Sequence, residues 1–133
     1  MHKVVIDTNV IVSAALSPKG TPAKMLDHIA ANRDTIQIFY CPDILVEYRD
    51  VLAREHLHIS LEVQTSIINA IVDAGILIEP ITSDISLIDE DDRYFFDTAK
   101  ASGAILITGN MKHFPAETFV MSPLEFFTMI SSE

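Results

Sequence analysis

The chain opens with a short apolar run, Lys3 to Ile6, that stops at the polar triplet Asp7-Thr8-Asn9, as a buried strand does when it delivers polar residues to its carboxyl end. Val10 to Leu16 follows as a short apolar helix closed by Ser17-Pro18-Lys19-Gly20. A second helix starts at Thr21-Pro22, with Thr as N-cap and Pro in the first helical position, and places Met25, Leu26, Ile29 and Ala30 on one face. Ile36 to Tyr40 predicts a second strand. From Pro42 the apolar positions Ile44, Leu45, Tyr48, Val51 and Leu52 recur at i, i+1, i+4, i+7 and i+8, the spacing of an amphipathic helix, and the pattern fades near His56. The next helix spans Ser60 to Ala74 and is closed by Gly75, after which Ile76 to Glu79 predicts a short strand before Pro80. The polar stretch Thr82 to Asp92 leads into a helix that runs through Ser102 and ends at Gly103. Ala104 to Ile107 is a strongly apolar strand, followed by a Thr108-Gly109-Asn110 turn. Thr118 to Met121 predicts the last strand, and Ser122-Pro123-Leu124-Glu125 is a capping box that starts the final helix. Strands alternating with helices predict an α/β fold in which a central, mainly parallel sheet is covered on both faces, a three-layer α/β/α arrangement. No repeat or composition break divides the sequence, so residues 1–133 are expected to form a single domain.

Composition narrows the function classes. A hydrophobic content of 49% with only four Gly and six Pro excludes a disordered or low-complexity chain. Nine Lys plus Arg against nineteen Asp plus Glu leave a net charge of −10, which excludes binding nucleic acid through a broad basic surface. A phosphate-bearing partner would then need help from a cation. The one cysteine, Cys41, supports neither an internal disulfide nor a multi-cysteine metal site. The apolar run after Met1-His2-Lys3 meets Asp7 too soon for a signal peptide, and no run approaches the roughly 20 residues of a membrane span. A cytoplasmic protein with no membrane partner is the expectation.

In an open parallel sheet, functional residues collect in the crevice beyond the carboxyl ends of the strands. Asp7, Thr8 and Asn9 directly follow the first strand, and Thr108, Gly109 and Asn110 follow the Ala104 to Ile107 strand, although each triplet is also ordinary turn chemistry. Glu47 lies three residues after Ile44 and four before Val51, so it borders the apolar stripe of its helix, where a carboxylate needs a partner. Asp92 stands three and four residues before Phe95 and Phe96 and seven before Ala99, on the inward face; the competing reading is a helix N-terminal carboxylate favoured by the macrodipole. Asp89, Glu90 and Asp91 fit a solvated acidic loop. Asp97, at i+4 from Arg93 and i−3 from Lys100, fits a surface ion pair. Asp7, Glu47 and Asp92 are thus three carboxylates from separate elements that can point into one crevice. Clustered carboxylates repel unless a cation neutralises them or protons are taken up, and hard oxygen donors suit Mg²⁺ or Mn²⁺. Such a metal polarises a phosphoryl oxygen and supplies the positive charge that the chain lacks.

Four blocks in this order resemble the PIN domain family: Asp7-Thr8-Asn9-Val10, Cys41-Pro42-Asp43-Ile44-Leu45-Val46-Glu47, Asp89-Glu90-Asp91-Asp92-Arg93-Tyr94-Phe95, and Ile105-Leu106-Ile107-Thr108-Gly109-Asn110 followed by Lys112-His113-Phe114-Pro115. The resemblance covers nearly the whole chain and implies a metal-dependent ribonuclease of the kind found as toxins in prokaryotic toxin-antitoxin pairs, with RNA as substrate, a cognate antitoxin as partner and a homodimer as assembly. It implies that Asp7, Glu47 and Asp92 are the acidic metal ligands, that Asn9 supports Asp7, and that Thr108 lines the site. Where the family often carries a fourth acid, this chain has Asn110, which lowers the negative charge and weakens the case for a second metal. Lys112 is placed to touch the substrate backbone, or is simply a solvated lysine.

Other readings fare less well on the residues. A response-regulator receiver needs a phosphoacceptor Asp at the end of a central strand, and neither Ile36 to Tyr40 nor Ile76 to Glu79 delivers one. A haloacid-dehalogenase-type phosphatase wants an Asp two residues after Asp7, where Asn9 stands. His2, His28, His56, His58 and His113 form no zinc-ligand spacing with a carboxylate or Cys41. The rival that survives is a catalytically silent PIN-like domain that binds RNA or a protein partner, and Asn110 keeps it open.

Overall fold

The computed structural model describes residues 1–116 and 119–133. Among these residues, five strands and six α-helices follow in the order β1 (His2–Ile6), α1 (Thr8–Leu16), α2 (Thr21–Ala31), β2 (Ile36–Tyr40), α3 (Pro42–Leu52), α4 (Leu61–Ala74), β3 (Gly75–Leu77), α5 (Arg93–Ser102), β4 (Ile105–Ile107), β5 (Val120–Met121) and α6 (Pro123–Ser131). The strands form one sheet, ordered β3-β2-β1-β4-β5, and every neighbouring pair is parallel. β1 to β3 step outward in one direction, whereas β4 returns to the other side of β1. Right-handed crossovers then require the helix before β4 to cover the opposite face from the helices between β1 and β3. This is the three-layer arrangement expected from the alternating pattern.

The central strands read as continuous apolar runs because both of their faces are covered. Val4, Val5 and Ile6 of β1 and Leu106 and Ile107 of β4 are all fully buried. Tyr48 on α3 is buried as well; its ring lies 6.2 Å from that of Phe95 on α5, and its hydroxyl donates to the Ile6 carbonyl at the end of β1. The ladder continues one residue past β1, where the Asp7 amide donates to the Ile107 carbonyl at 2.9 Å. That bond ties the start of the first polar triplet to the end of β4. No helix among the described residues is long and apolar enough to cross a membrane.

Several boundaries move from their expected places. Gly20, not Thr21, is the N-cap of α2, and the Thr21 hydroxyl makes no capping bond, so the helix begins one residue early. Ala30 is exposed, since the buried stripe of that helix narrows to Ala23, Met25 and Ile29. α3 stops at Leu52, and a 3-10 turn over Glu55–Leu57 takes up the rest of the fading pattern. β3 is Gly75–Leu77 rather than Ile76 to Glu79, because β2 ends at Tyr40 and its register pairs Ile38 with Gly75 and Tyr40 with Leu77. Asp92 belongs to a 3-10 turn, Glu90–Asp92, and α5 begins after it. β5 is Val120–Met121, and Thr118 lies outside the described residues. The capping box at Ser122 and Glu125 forms in full.

Gly75 both ends α4 and enters the sheet, which presses its α-carbon against its neighbours. A methyl group there would stand 2.5 Å from the Ile71 carbonyl oxygen and 2.7 Å from the Tyr40 ring. Backbone cannot yield as a flexible side chain can, so Gly75→Ala should destabilise the fold by about 1–3 kcal/mol, the usual range for overpacking. Urea unfolding of the two proteins checks this; equal midpoints would show that β3 shifts freely.

Candidate functional site

The sheet order reverses between β1 and β4, and the crevice outside their carboxyl ends is where an open parallel sheet presents ligands. Asp7 sits at that point, 5% exposed, as the N-cap of α1. Its Oδ1 accepts from the Thr8 amide at 2.7 Å; its Oδ2 accepts from the Thr108 hydroxyl at 2.7 Å and the Asn9 side-chain amide at 3.3 Å. Burial nevertheless raises the Asp7 pKa, with these bonds and the positive field of His113 only partly offsetting the loss of water. Asn9 bonds in both directions, since its Oδ1 accepts from the Gly109 amide at 3.0 Å. Thr108 does the same, accepting the Asn110 amide at 3.0 Å on the hydroxyl that holds Asp7. The β1 and β4 triplets are therefore one hydrogen-bonded unit, and each contributes more than turn chemistry.

Glu47, half-buried on α3, accepts a hydrogen bond from the Thr8 hydroxyl. Burial raises its pKa, the Thr8 bond works against the rise, and the charges of Asp7 and Asp91 add to it. Asp92 is also half-buried, and its pKa is raised from 3.8 to about 6, by burial first and then by the charges of Asp7 and Asp89. Although Asp92 immediately precedes α5, its side chain makes no capping hydrogen bond. The capping part of the acidic run falls instead to Asp89, whose Oδ1 accepts from the Asp91 amide at 3.0 Å. Oδ2 of Asp92 is buried without a hydrogen-bond partner among the described residues; His113 Nδ1 lies 3.3 Å away, near enough to attract but not aligned to donate.

The field of Asp7 thus reaches both Glu47 and Asp92. Three carboxylates, one with a stranded buried oxygen, are a donor set that fits a hard divalent cation. Among the described residues no three His, Cys, Asp or Glu side chains already stand close enough together to hold a metal, so coordination would require them to converge further. Asn9 and Thr108 are hydrogen-bonded to Asp7, while Asn110 joins the network through its backbone amide alone. Lys112 is exposed, one residue before His113.

The partners of two residues in these blocks were not evident from spacing. Thr8 positions Glu47 across 39 residues of sequence, which no local pattern encodes. His113 approaches Asp92 from the 3-10 turn Met111–His113, and an isolated histidine carries no periodic signal. Asp97 corrects half of an expectation: Arg93 stands 3.9 Å from its Oδ2 at the i,i+4 spacing, but Asp97 is 4% exposed rather than at the surface, because α5 turns that face beneath the segment containing Ser83, whose amide donates to it at 3.2 Å.

A five-stranded parallel sheet with acidic residues gathered at its reversal point defines a class, and the chain belongs to it: a family model for the PIN domain matches residues 3–112, a span that contains every polar residue of the crevice named above except His113. PIN domains are generally nucleases and typically use divalent metals. The chain is 36% identical over 111 residues to an uncharacterised protein of Methanocaldococcus jannaschii, covering 81% of this chain and 70% of that one. Its fold is similar to the crystal structure of PAE2754 from Pyrobaculum aerophilum, with a TM-score of 0.65 at 11% identity over 99% of this chain and 91% of that one. It is also similar to VapBC2 from Rickettsia felis, solved bound to a DNA fragment from its promoter, with a TM-score of 0.56 at 18% identity over 83% of this chain and 89% of that one.

The three raised carboxylates have a consequence for stability in the absence of metal. A group whose folded-state pKa exceeds its unfolded value holds its proton more tightly when folded. Its contribution is therefore complete below the ordinary carboxylate range and is lost as pH rises through the folded value, for Asp92 between 3.8 and about 6. In EDTA the protein should gain stability as pH falls from about 7 to about 5, and Asp92→Asn should raise stability at neutral pH by on the order of 1 kcal/mol and flatten that dependence. Mn²⁺ should raise the Tm of the parent much more than that of the variant, because a ligand bound only by the folded state stabilises it by mass action. Thermal melts across pH, with EDTA and with Mn²⁺, test both; a destabilised variant with an undiminished Mn²⁺ shift would remove Asp92 from the site.

Proposed function

We propose that this chain is a Mg²⁺- or Mn²⁺-dependent endoribonuclease, the toxin of a type II toxin-antitoxin pair, with Asp7, Glu47 and Asp92 as its metal ligands and catalytic acids. The observation that carries the reading is the buried charge of the crevice: burial and the charge of Asp7 raise the Asp92 pKa, and Asp92 Oδ2, with His113 Nδ1 3.3 Å away, is buried without an aligned hydrogen bond among the described residues. A divalent cation, when bound, supplies a Lewis acid for a phosphoryl oxygen and lowers the pKa of a bound water. The chain's own residues then have distinct tasks. Asn9 and Thr108 hold the Asp7 carboxylate from the two sides of the crevice, and Thr8 turns Glu47 toward it. Lys112, exposed one residue before His113, would meet the backbone of an RNA strand. On a chain of net charge −10, a bound cation is also the means of attracting a phosphodiester.

Membership of the PIN family supports a nuclease, and the fold likeness to VapBC2, a toxin-antitoxin complex, supports a cognate antitoxin as partner. A silent PIN-like domain that binds RNA or a protein remains the second reading, favoured by the neutral Asn110 and by ligands that still have to converge. Cleavage separates the two. Asp7→Asn should retain the fold, by circular dichroism, and lose Mn²⁺-dependent RNA cleavage by more than the roughly 10- to 100-fold that removal of an outer partner of a metal ligand costs. A variant that cuts as fast as the parent would refute the assignment, and a parent without Mn²⁺-dependent cleavage would favour the silent domain.

The homodimer is part of the same proposal. Light scattering at micromolar concentration should give twice the chain mass; a monomer mass would count against it.

A further inference from the structure

We propose that the cavity between the start of α3, the start of α5 and the Glu79–Thr82 segment binds a guanidinium or ammonium group carried on a short apolar stem. The cavity measures about 230 Å³ and shares no lining residue with the metal crevice. Its apolar walls are Pro42, Pro80 and Tyr94, and its acidic groups are Asp43, Glu79 and Asp97. Asp97 is what makes this more than an acidic patch: it is 4% exposed, yet its Oδ1 has no hydrogen-bond partner among the described residues. A buried carboxylate oxygen in that condition has an acceptor position that a donor can fill.

Arg93 is the nearest cation to it, but its hydrogen-bond donors are committed elsewhere. Nε donates to Glu90 at 2.6 Å, Nη1 to the carbonyl and hydroxyl of Ser83 at 2.8 and 3.0 Å, and Nη2 to the Ile85 carbonyl at 2.5 Å and to Glu90 at 3.0 Å. A guanidinium has five N–H donors, so none remains, and Arg93 stands 3.9 Å from Asp97 Oδ2. Arg93, itself part of the lining, thus faces Asp97 Oδ2 as an ion pair without donating to it, and Asp97 Oδ1 keeps no donor among the described residues. A cationic head with N–H donors meets Asp97 and Glu79, its aliphatic stem packs along the two prolines, and the Tyr94 ring, 46% exposed, offers a face to the positive charge. Such a head group arrives either on an arginine or lysine side chain of a partner protein or on a free polyamine. Cys41–Asp43 begins the helix that carries Glu47, and Arg93–Asp97 the helix that follows Asp92, so an occupant touches both elements that aim those carboxylates. The site does not depend on the ribonuclease reading.

Titration of the ¹⁵N-labelled full chain with N-acetyl-arginine amide and, separately, with spermidine tests it. The expected result is a saturable, millimolar response centred on the amides of Thr82, Ser83 and Tyr94, with N-acetyl-citrulline amide, the neutral isostere, producing none. Glu79→Gln, at an exposed position, should weaken binding about two- to fivefold, as for a solvent-facing pair. Asp97→Asn should weaken it by about tenfold or more, as for a desolvated one. If Asp97→Asn releases the Ser83 segment and unfolds, the Glu79 variant and the citrulline control still decide. Response to the arginine amide alone identifies a protein side chain as the source, and response to spermidine a polyamine. Absence of saturation with both, an equal response to the citrulline amide, unaltered affinity in Glu79→Gln, or a response centred on Asp7 would overturn the proposal.

Discussion

The crevice depends on keeping one carboxylate, Asp7, ionisable at the end of the most deeply buried strand. β1 must be apolar to sit in the middle of a sheet covered on both faces, and Val4, Val5 and Ile6 are completely enclosed. The next residue inherits that environment, and at 5% exposure it has little water to stabilise its charge. Its surroundings substitute for water: the first amide of α1, the Thr108 hydroxyl and the Asn9 amide all donate to it. The substitution is incomplete, since the pKa still rises. A fully satisfied carboxylate would have little affinity left for a cation, whereas one with no donors would be neutral in the folded state. The crevice lies between these limits.

That constraint explains why the neighbouring residues are polar but uncharged. Thr8, Asn9 and Thr108 each connect Asp7 to another part of the site: to Glu47, to the Gly109 amide and to the Asn110 amide. Parallel pairing brings the ends of β1 and β4 side by side, and the bond from the Asp7 amide to the Ile107 carbonyl fixes their offset. Tyr48 adds a brace from α3, donating to the carbonyl immediately before Asp7 while its neighbour Glu47 receives the Thr8 hydroxyl. Consecutive residues of one helix thus hold the backbone and the side chains of the same corner.

The elements that declare themselves by periodicity were legible in the amino-acid sequence. The apolar runs of β1, β2 and β4, the amphipathic spacing of α3 and the capping box of α6 depend on neighbours in the chain, and local chemistry is enough to find them. Parallel topology followed from the alternation, because parallel strands need helical crossovers. What could not be read depends on partners distant in sequence. The end of β3 is set by where β2 stops, and the Thr8–Glu47 bond joins two helices. Asp97 misled for the same reason. Its spacing to Arg93 and Lys100 is that of a surface pair, but whether a helical face meets water depends on the loop laid across it, and the Ser83 segment covers this one. The separate carboxylates at strand and helix ends were visible; their electrostatic coupling through Asp7 required three dimensions.

Arg93 links the two acidic regions and shows why they differ. It follows Asp92 directly, so its positive charge could in principle have served the crevice, the Asp97 cavity or the acidic turn. The structure commits it to Glu90 and to the carbonyls of Ser83 and Ile85, where a planar fork can use all of its donors at once. This choice lowers the Glu90 pKa and clamps the segment before α5, and it leaves Asp92 Oδ2 and Asp97 Oδ1, on either side of the clamp, without a hydrogen-bond donor among the described residues. In the crevice the missing charge sits beside two other carboxylates and a hydrogen-bonded loop, an environment of hard oxygen donors suited to a small divalent ion. In the cavity Asp97 is accompanied by Pro42, Pro80 and Tyr94, apolar and aromatic surface that an organic cation with its own apolar stem would cover, as proposed above. One arginine, its donors spent on Glu90 and on the Ser83 and Ile85 segment, therefore separates the two acidic regions for which different cations are proposed.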